Sequence, residues 1–277
     1  MNPLASSALP ASADAAGRLR VATYNIHKGV RGIGPAKRLE IHNLGLGIEA
    51  LDADLICLQE VRRFHKRDAR RFDRTWFGWP QEGQAEFLAP EGYDVAYRTN
   101  AVTRGGEHGN ALLSRWPIGD ARQHDVSDHR FEQRGLLHVP VLWQGAALHA
   151  VVVHFGLSHA SRVRQVQRLV GFIEREVDRD APLLVAGDFN DWGERLDAPL
   201  ADAGLRRARS PRAAGTLAAR SLTFPSLAPL FALDRIYTRG LVCRSTFVPR
   251  GATWARMSDH LPLVAEFERV ASAALRP

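Results

Sequence analysis

The chain is expected to fold as an α/β (α+β) four-layer sandwich, two packed and mainly antiparallel β-sheets flanked by helices. Three observations lead there. Strand-like segments outnumber helical ones, the strands fall into two runs that each carry a helix, and no repeat or linker divides the 277 residues. With 45% hydrophobic residues, a chain of this length can bury a sizeable core.

Residues 1–18 open Ala-, Ser- and Pro-rich, with no basic leader or continuous apolar run, so a disordered tail is expected rather than a secretory signal. "LRVATYN" (19–25) reads as a strand, and 37–52 has helical spacing at Leu39, Leu44, Ile48 and Leu51. "DLICLQE" (54–60) is a second buried strand, followed by strands over 93–98, 109–118, 135–143 and 147–155. From Ala160 the period lengthens: Val163, Val166, Val170, Ile173 and Val177 form one apolar stripe, with Arg162, Arg164, Arg168 and Arg175 opposite, on a helix ending near Asp180. Strand 182–190, a helix near 194–203, a Pro/Ala/Arg-rich loop (205–220) and strands 232–238, 241–248 and 261–268 complete the reading. A single domain is expected over 19–270, with 271–277 a C-terminal tail.

Lys and Arg number 37 against 30 Asp and Glu, a net charge of +7, which favours a polyanionic partner or simply makes a well-solvated surface. Cys57 and Cys243 lie far apart in apolar runs without metal spacing, so inert core thiols and a cytoplasmic, reducing location are expected. No segment reaches the length of apolar sequence a spanning helix requires. A monomer without an obligate protein partner is expected.

Strand after strand ends on a carboxylate, carboxamide or imidazole: Asn25, Glu60, Asn110, His154, Asp188, Asn190, Asp234, Asp259 and His260. Each alone could start a turn, but strands converging on one sheet edge would gather them into one cleft. Glu60 and Asp259 supply anionic oxygens and Asn25 a neutral one, which suits Mg²⁺ or Mn²⁺ with retained waters rather than thiolate-bound zinc. Phosphoester hydrolysis needs a positioned water and neutralisation of charge on the phosphoryl oxygens, which such a set can provide.

"TYNIHKG" (23–29), "ICLQEV" (56–61), "GNALLSRWPI" (109–118), "VVHFGLS" (152–158), "VAGDFND" (185–191), "LDRIYT" (233–238) and "SDHLPLVAEF" (258–267) together resemble the ordered motifs of the endonuclease/exonuclease/phosphatase (DNase I-like) superfamily. The likeness runs from about residue 19 to 268. It implies a Mg²⁺- or Mn²⁺-dependent hydrolase, most simply a phosphodiesterase, with Glu60 the principal metal ligand, helped by Asn25 and Asp259. By the same resemblance Asp188 activates the attacking water, Asn190 holds a phosphoryl oxygen or, with Asp188, a second metal, and His260 contacts the phosphate while Asp234 fixes its tautomer. His154 takes the place of the second catalytic histidine of the DNase-like branch. Asn110, Arg134, His27 and Lys28 are expected to bind substrate.

Two departures bear on the substrate. Abasic-site endonucleases carry an acidic residue two positions after the first Asn, where this chain has His27, and a tyrosine where it has His154. A DNA endonuclease or exonuclease, a sphingomyelinase-like phospholipid phosphodiesterase and, from another class, a non-catalytic nucleic-acid-binding relative all remain open, as does a dinuclear zinc site on His27, His154 and His260. The segment 62–80 interleaves basic residues with Phe64, Phe72, Trp76, Phe77 and Trp79, and so fits a nucleic-acid backbone, peripheral membrane contact or an ordinary amphipathic helix. Arg206, Arg207, Arg209, Arg212 and Arg220 are expected in a solvated linker, and Thr223-Phe224-Pro225 near the active mouth. Of the two Ser-Asp-His triplets, 258–260 is assigned to metal and phosphate, and 127–129 to a loop at the cleft rim.

Overall fold

Two six-stranded sheets face each other in the computed structural model, which describes residues 17–74, 76–129, 132–211 and 221–270. β1 (Arg18–Asn25) leads through a two-stranded ribbon, β2 (Val30–Arg31) and β3 (Arg38–Leu39), into α1 (Ile41–Leu51), which returns the chain to β4 (Leu55–Val61). Short helices α2 (Lys66–Arg71) and α3 (Gln84–Leu88) precede the hairpin of β5 (Asp94–Thr103) and β6 (Gly106–Ser114). The second sheet starts with β7 (Arg122–Asp125), β8 (Gly135–Trp143) and β9 (Ala146–His154), and α4 (His159–Glu176) carries the chain over to β10 (Leu183–Asp188). Then follow α5 (Asp197–Asp202), β11 (Arg206–Arg207), β12 (Asp234–Arg239), β13 (Leu241–Phe247), α6 (Ala252–Met257) and β14 (Leu263–Arg269), the last two strands returning to the first sheet.

Each sheet has the same plan. One parallel pair lies at its centre, β1–β4 joined by α1 and β9–β10 joined by α4, and every other neighbour is antiparallel. A parallel pair needs a crossover, and a helix is the crossover that covers the sheet's outer face. The four parallel strands therefore end at one edge of the sandwich: Asn25 is in register with Gln59, and His154 with Asp188, while β12 starts there with Asp234 opposite Asp188.

Three apolar layers hold the sandwich. Val21, Cys57, Leu112, Leu137, Val152 and Ile236 belong to the layer between the sheets. α1 packs Ile41, Leu44, Ile48 and Leu51 on the outer face of the first sheet, and α4 packs Val166, Leu169, Phe172 and Ile173 on that of the second. Burying a side chain of this size contributes about 1.5–3 kcal/mol.

The differences from the sequence reading have local causes. Residues 38–39 pair as β3 rather than starting the helix, and β6 begins at Gly106 and stops at Ser114, just before Trp116-Pro117. Helix α4 ends at Glu176, and its Val163 lies at the exposed margin of the stripe. Arg162, expected on the polar face, is buried and caps the carbonyls of Gly156 and Leu157. Among the described residues of the 62–80 segment, 66–71 are helical. β7 and α6, polar and short, carry no periodic signal. Arg206 and Arg207 form a strand, with Arg207 paired to Asp197 at 3.0 Å and Arg209 to the same carboxylate at 3.0 Å, while Arg212 and Arg220 lie outside the described residues. The two expected tails also fall outside, except that residues 17 and 18 are described and Arg18 already belongs to β1. Burial pushes the Cys57 thiol up to about 12 and the Cys243 thiol to about 11, as befits inert thiols.

Candidate active site

Glu60 is aimed by a bulge. In the β4–β6 pairing Leu58 faces Ala111 and Val61 faces Gly109, so Gln59 and Glu60 together oppose Asn110. The extra residue puts Glu60 at φ 57, a left-handed conformation rare for a non-glycine residue. Such strain, of order 1–3 kcal/mol, persists only where the surroundings over-determine it. Gln84 is one such restraint: its side chain accepts from Arg62 N–H at 2.9 Å and donates to the Lys28 carbonyl at 2.9 Å, clamping the loop after β1 to the end of β4. The clamp brings Lys28 Nζ to 2.8 Å from Glu60 Oε2.

A second turn presents Asp188 and Asn190. Gly187 is required there, since a Cβ would meet the Val153 carbonyl oxygen at 1.9 Å. Phe189 anchors the turn in the core, edge-to-face with Phe155 and tilted against Tyr237. Asp188 Oδ1 accepts from the Asn190 N–H at 2.8 Å, and Asp188 Oδ2 accepts from Asn25 Nδ2 at 3.1 Å, a bond that ties the two sheets together. Asn190 donates its amide to the Phe155 carbonyl at 2.9 Å.

Two imidazoles flank Asp188. His154 Nε2 and His260 Nε2 each stand 3.7 Å from its Oδ2, and both rings are 5% exposed, yet their charge states are opposite. Burial, assisted by the Arg134 charge, drives His154 down to about 4, so it is neutral at pH 7. Burial works the same way on His260 but is overcome by Asp234, whose Oδ2 lies 2.8 Å from Nδ1, and by Asp188 and Asp259, which push it up to about 10. Neighbouring titratable groups driven apart in this way mark an acid–base site. Asp234 thus holds Nδ1, and Nε2–H of the imidazolium faces the cleft.

The remaining carboxylates match a hard cation. Burial would raise Glu60, but Lys28, His154 and His27 hold it well below the usual carboxylate range. Burial likewise opposes ionisation of Asp259, which His27 lowers through Nδ1 at 3.1 Å. Asn25 adds a carboxamide oxygen that accepts the His27 N–H at 3.1 Å. An all-oxygen set of two ionised carboxylates and one amide fits a divalent metal of the Mg²⁺ class. Asp188, Asp234 and His260 also bring ligand atoms within 4.8 Å of one another. In its protonated form, held by Asp234, His260 presents an N–H rather than a lone pair to that grouping.

A family model described as "Endonuclease/Exonuclease/phosphatase family" matches residues 22–260. The chain belongs to this family. Its members are hydrolases of phosphoester bonds, typically dependent on a divalent metal. "Uncharacterized protein YbhP" of Escherichia coli (strain K12) is 38% identical over 251 residues, 89% of this chain and 95% of that protein. Among solved structures, an endonuclease/exonuclease/phosphatase from Beutenbergia cavernae superposes with TM-score 0.67 at 20% identity, over 91% of this chain and 72% of that one. A mannosyl-6-phosphatase of Bacteroides thetaiotaomicron superposes with TM-score 0.63 at 18% identity, over 90% and 99%.

The cleft of this endonuclease/exonuclease/phosphatase-family chain assembles Asn25, His27, Lys28, Glu60, His154, Asp188, Asn190, Asp234, Asp259 and His260. Arg134 reaches it as the charge acting on His154, while its guanidinium pairs with Glu132 at 3.3 Å. His27 and Lys28, expected to bind substrate, face the two candidate metal-ligand carboxylates. Asn110, read as a substrate group or turn starter, is fully buried within β6 and donates to the carbonyls of Gly135 at 3.0 Å and Val152 at 3.1 Å, linking the two sheets.

His108, Asp191, Trp192 and Arg235 escaped the sequence reading, while Ser258 and Phe224 lie where it put them, in the second triplet and near the mouth. His108, two positions before Asn110, is driven to about 4 by burial and then by Lys28, against the pull of Glu60. Ser258 Oγ donates to the Asn25 carbonyl at 2.7 Å, fastening the last motif to the first. Beneath the Asp188 turn, Arg235 is fully buried and donates to the Asp191 carboxylate at 2.9 Å. Both partners of this pair flank known motif residues in "GDFND" and "LDR", the only signal for them. Trp192 packs on Phe224 and Phe231, and Phe224 lies 4.8 Å from the His260 ring.

Proposed function

We propose that this protein is a Mg²⁺- or Mn²⁺-dependent phosphodiesterase that hydrolyses its substrate by in-line attack of water. The observation that carries this reading is the pair of imidazoles at 3.7 Å on either side of Asp188, one neutral and one cationic. Asp188 orients the water and takes its proton. The His260 imidazolium donates Nε2–H to a phosphoryl oxygen as negative charge builds there, with Asp234 keeping the ring charged and oriented. His154, neutral, presents Nε2 to the opposite side of the reacting group as a single donor or acceptor, according to tautomer. Glu60, Asp259 and Asn25 would hold the metal, which when bound supplies Lewis-acid polarisation of a phosphoryl oxygen and of the leaving oxygen.

The likeness to a mannosyl-6-phosphatase makes a phosphomonoester the second substrate type to assay. Turnover of bis(4-nitrophenyl) phosphate and of 4-nitrophenyl phosphate is measured with Mg²⁺, with Mn²⁺ and after chelation. The expected result is metal-dependent hydrolysis of the diester, lost in Asp188→Ala. Hydrolysis that survives chelation, or survives in Asp188→Ala, overturns the proposal. Oligonucleotide binding without turnover of either ester would instead support the non-catalytic nucleic-acid-binding reading.

A further inference from the structure

The edge of the sandwich that carries the cleft is ringed by aliphatic side chains standing in water. Ile33, Val102, Leu157, Leu227 and Leu230 are between 64% and 90% exposed; Val102 lies at the end of β5 and the other four on loops at that edge. An isolated exposed Leu means little, but five around one polar cleft are a patterned surface. Two groups can be distinguished. Val102 and Leu157 line one open groove of about 720 Å³ together with Arg134 and His108. Leu227 and Leu230 sit on the turn after Phe224, whose ring is 4.8 Å from His260. That turn is bound to the Ile33 loop through Arg31, which donates to Ser226 Oγ at 3.4 Å and to the Ser258 carbonyl at 2.6 Å.

A basic helix joins the two groups. α2 rests on the β5–β6 hairpin, where Lys66 N–H donates to the Gly105 carbonyl at 2.8 Å, and reaches the Ile33 loop, where Arg71 donates to the Gly34 carbonyl at 2.8 Å. Its one carboxylate, Asp68, is buried and paired with Arg62 and Lys37. Lys66, Arg67, Arg70 and Arg71 are exposed, so the helix shows solvent an uncompensated positive face. Trp76 and Phe77, 80% and 77% exposed, follow directly.

We propose that this edge docks on the surface of an anionic phospholipid bilayer, which presents headgroup phosphodiesters to the cleft. The cations complement anionic headgroups, and the aliphatic tips gain by leaving water for the acyl boundary. A nucleic-acid strand would use the cations and stack bases on Trp76 or Phe77, but Ile33, Val102, Leu157, Leu227 and Leu230 have no π-face to offer it. The choice of lipid as substrate rests on the phosphodiesterase reading; the docking itself does not.

The test is flotation with phosphatidylcholine vesicles, with and without phosphatidylglycerol, and binding to a fluorescent single-stranded oligonucleotide. Wild type is expected to float with the anionic vesicles and not the neutral ones. The double variants Ile33→Asp/Leu227→Asp and Val102→Asp/Leu157→Asp are each expected to lower the floated fraction about tenfold at unchanged melting temperature, because the substituted side chains are exposed. Asp188→Ala, with the docking edge intact, is expected to float like wild type, so a failed turnover assay leaves this result standing. The proposal is overturned if wild type stays unbound, or if the aspartate variants float like wild type. Oligonucleotide binding unaffected by those variants, without flotation, assigns the surface to nucleic acid and equally overturns it.

Discussion

The same three residues, Ser-Asp-His, occur at 127–129 and at 258–260, and their surroundings give them opposite fates. In the second copy Ser258 is buried and bonded to the Asn25 carbonyl, Asp259 faces His27, and His260 lies between Asp234 and Asp188. In the first copy Ser127 N–H caps the Asp125 carboxylate, and Asp128 is held by the Arg164 guanidinium and, at 2.7 Å, by Ser161 Oγ. His129 is half-exposed, 3.8 Å from Glu132. An imidazole becomes a fixed cation only where carboxylates of two other strands converge on it behind a wall that excludes water. Tripeptide identity supplies none of that; strand topology does.

The largest effect comes from breaking this convergence. His260→Gln keeps a polar side chain but removes the charge, and is expected to lower kcat by about 10²–10⁴ with the melting profile retained. Asp234→Asn, which leaves the ring in place without its anionic partner, is expected to lower kcat by the same mechanism. Wild-type kcat in either variant would reduce the second triplet to the status of the first.

Burial without a carboxylate is the control for that argument. His138 Nε2 lies 2.9 Å from His149 Nδ1 under Phe172, with no carboxylate bonded to it, and burial followed by the His149 and His124 charges pushes it down to about 4. Here the unfolded chain takes the proton near pH 6.5 and the folded chain only near 4. Stability is therefore intact above about 6.5 and lost as pH falls through that window, by about 3 kcal/mol from this group. Denaturant unfolding at a series of pH values is expected to show this loss, and His138→Leu to flatten the slope between 6.5 and 4. An unchanged slope would mean that burial does not set this ring's charge.

How much was legible follows from the same contrast. Glu60 and Asp188 lie at the ends of buried strands, Asp234 opens one and His260 precedes another, and an ordered series of polar residues at strand ends and starts is written in the chain itself. Arg235 and Asp191 were hidden because each is one residue of an unremarkable pair until the fold brings β12 under the Asp188 turn. Asn110, expected to bind substrate, has a further place that a sequence does not show: the bulge at Gln59–Glu60 leaves it facing the opposite sheet. β7, with its polar "RQHD", has no alternation because it is an edge strand.

The carboxylates of the two triplets differ in what could replace their partners. Arg164 is a permanent partner of Asp128, but Glu60 and Asp259 face Lys28 and His27 from a flexible stem and a partly exposed ring in a cleft suited to a metal. Lys28 then competes with the cation for Glu60. Lys28→Met is expected to bind Mn²⁺ about tenfold more tightly by calorimetric titration, worth about 1.4 kcal/mol, while melting a few degrees lower without metal, because Glu60 loses its counter-charge. Weaker Mn²⁺ binding in the variant would make Lys28 a supporting residue of the metal site rather than a rival.

The smallest effect is expected at the first triplet. Among the described residues His129 pairs with Glu132, and Asp128 serves α4 through Arg164, Ser161 and the adjoining Ser158 cap. His129→Ala should leave kcat within about twofold of wild type, since surface substitutions away from caps, cores and sites cost little. Asp128→Asn should likewise spare the chemistry while weakening the attachment of the 125–129 loop to α4, seen as faster amide exchange there. The ratio of the His129→Ala and His260→Gln losses then measures what convergence of strands adds to an identical tripeptide. A kcat for His129→Ala as low as that for His260→Gln would place the first triplet in the catalytic cleft as well.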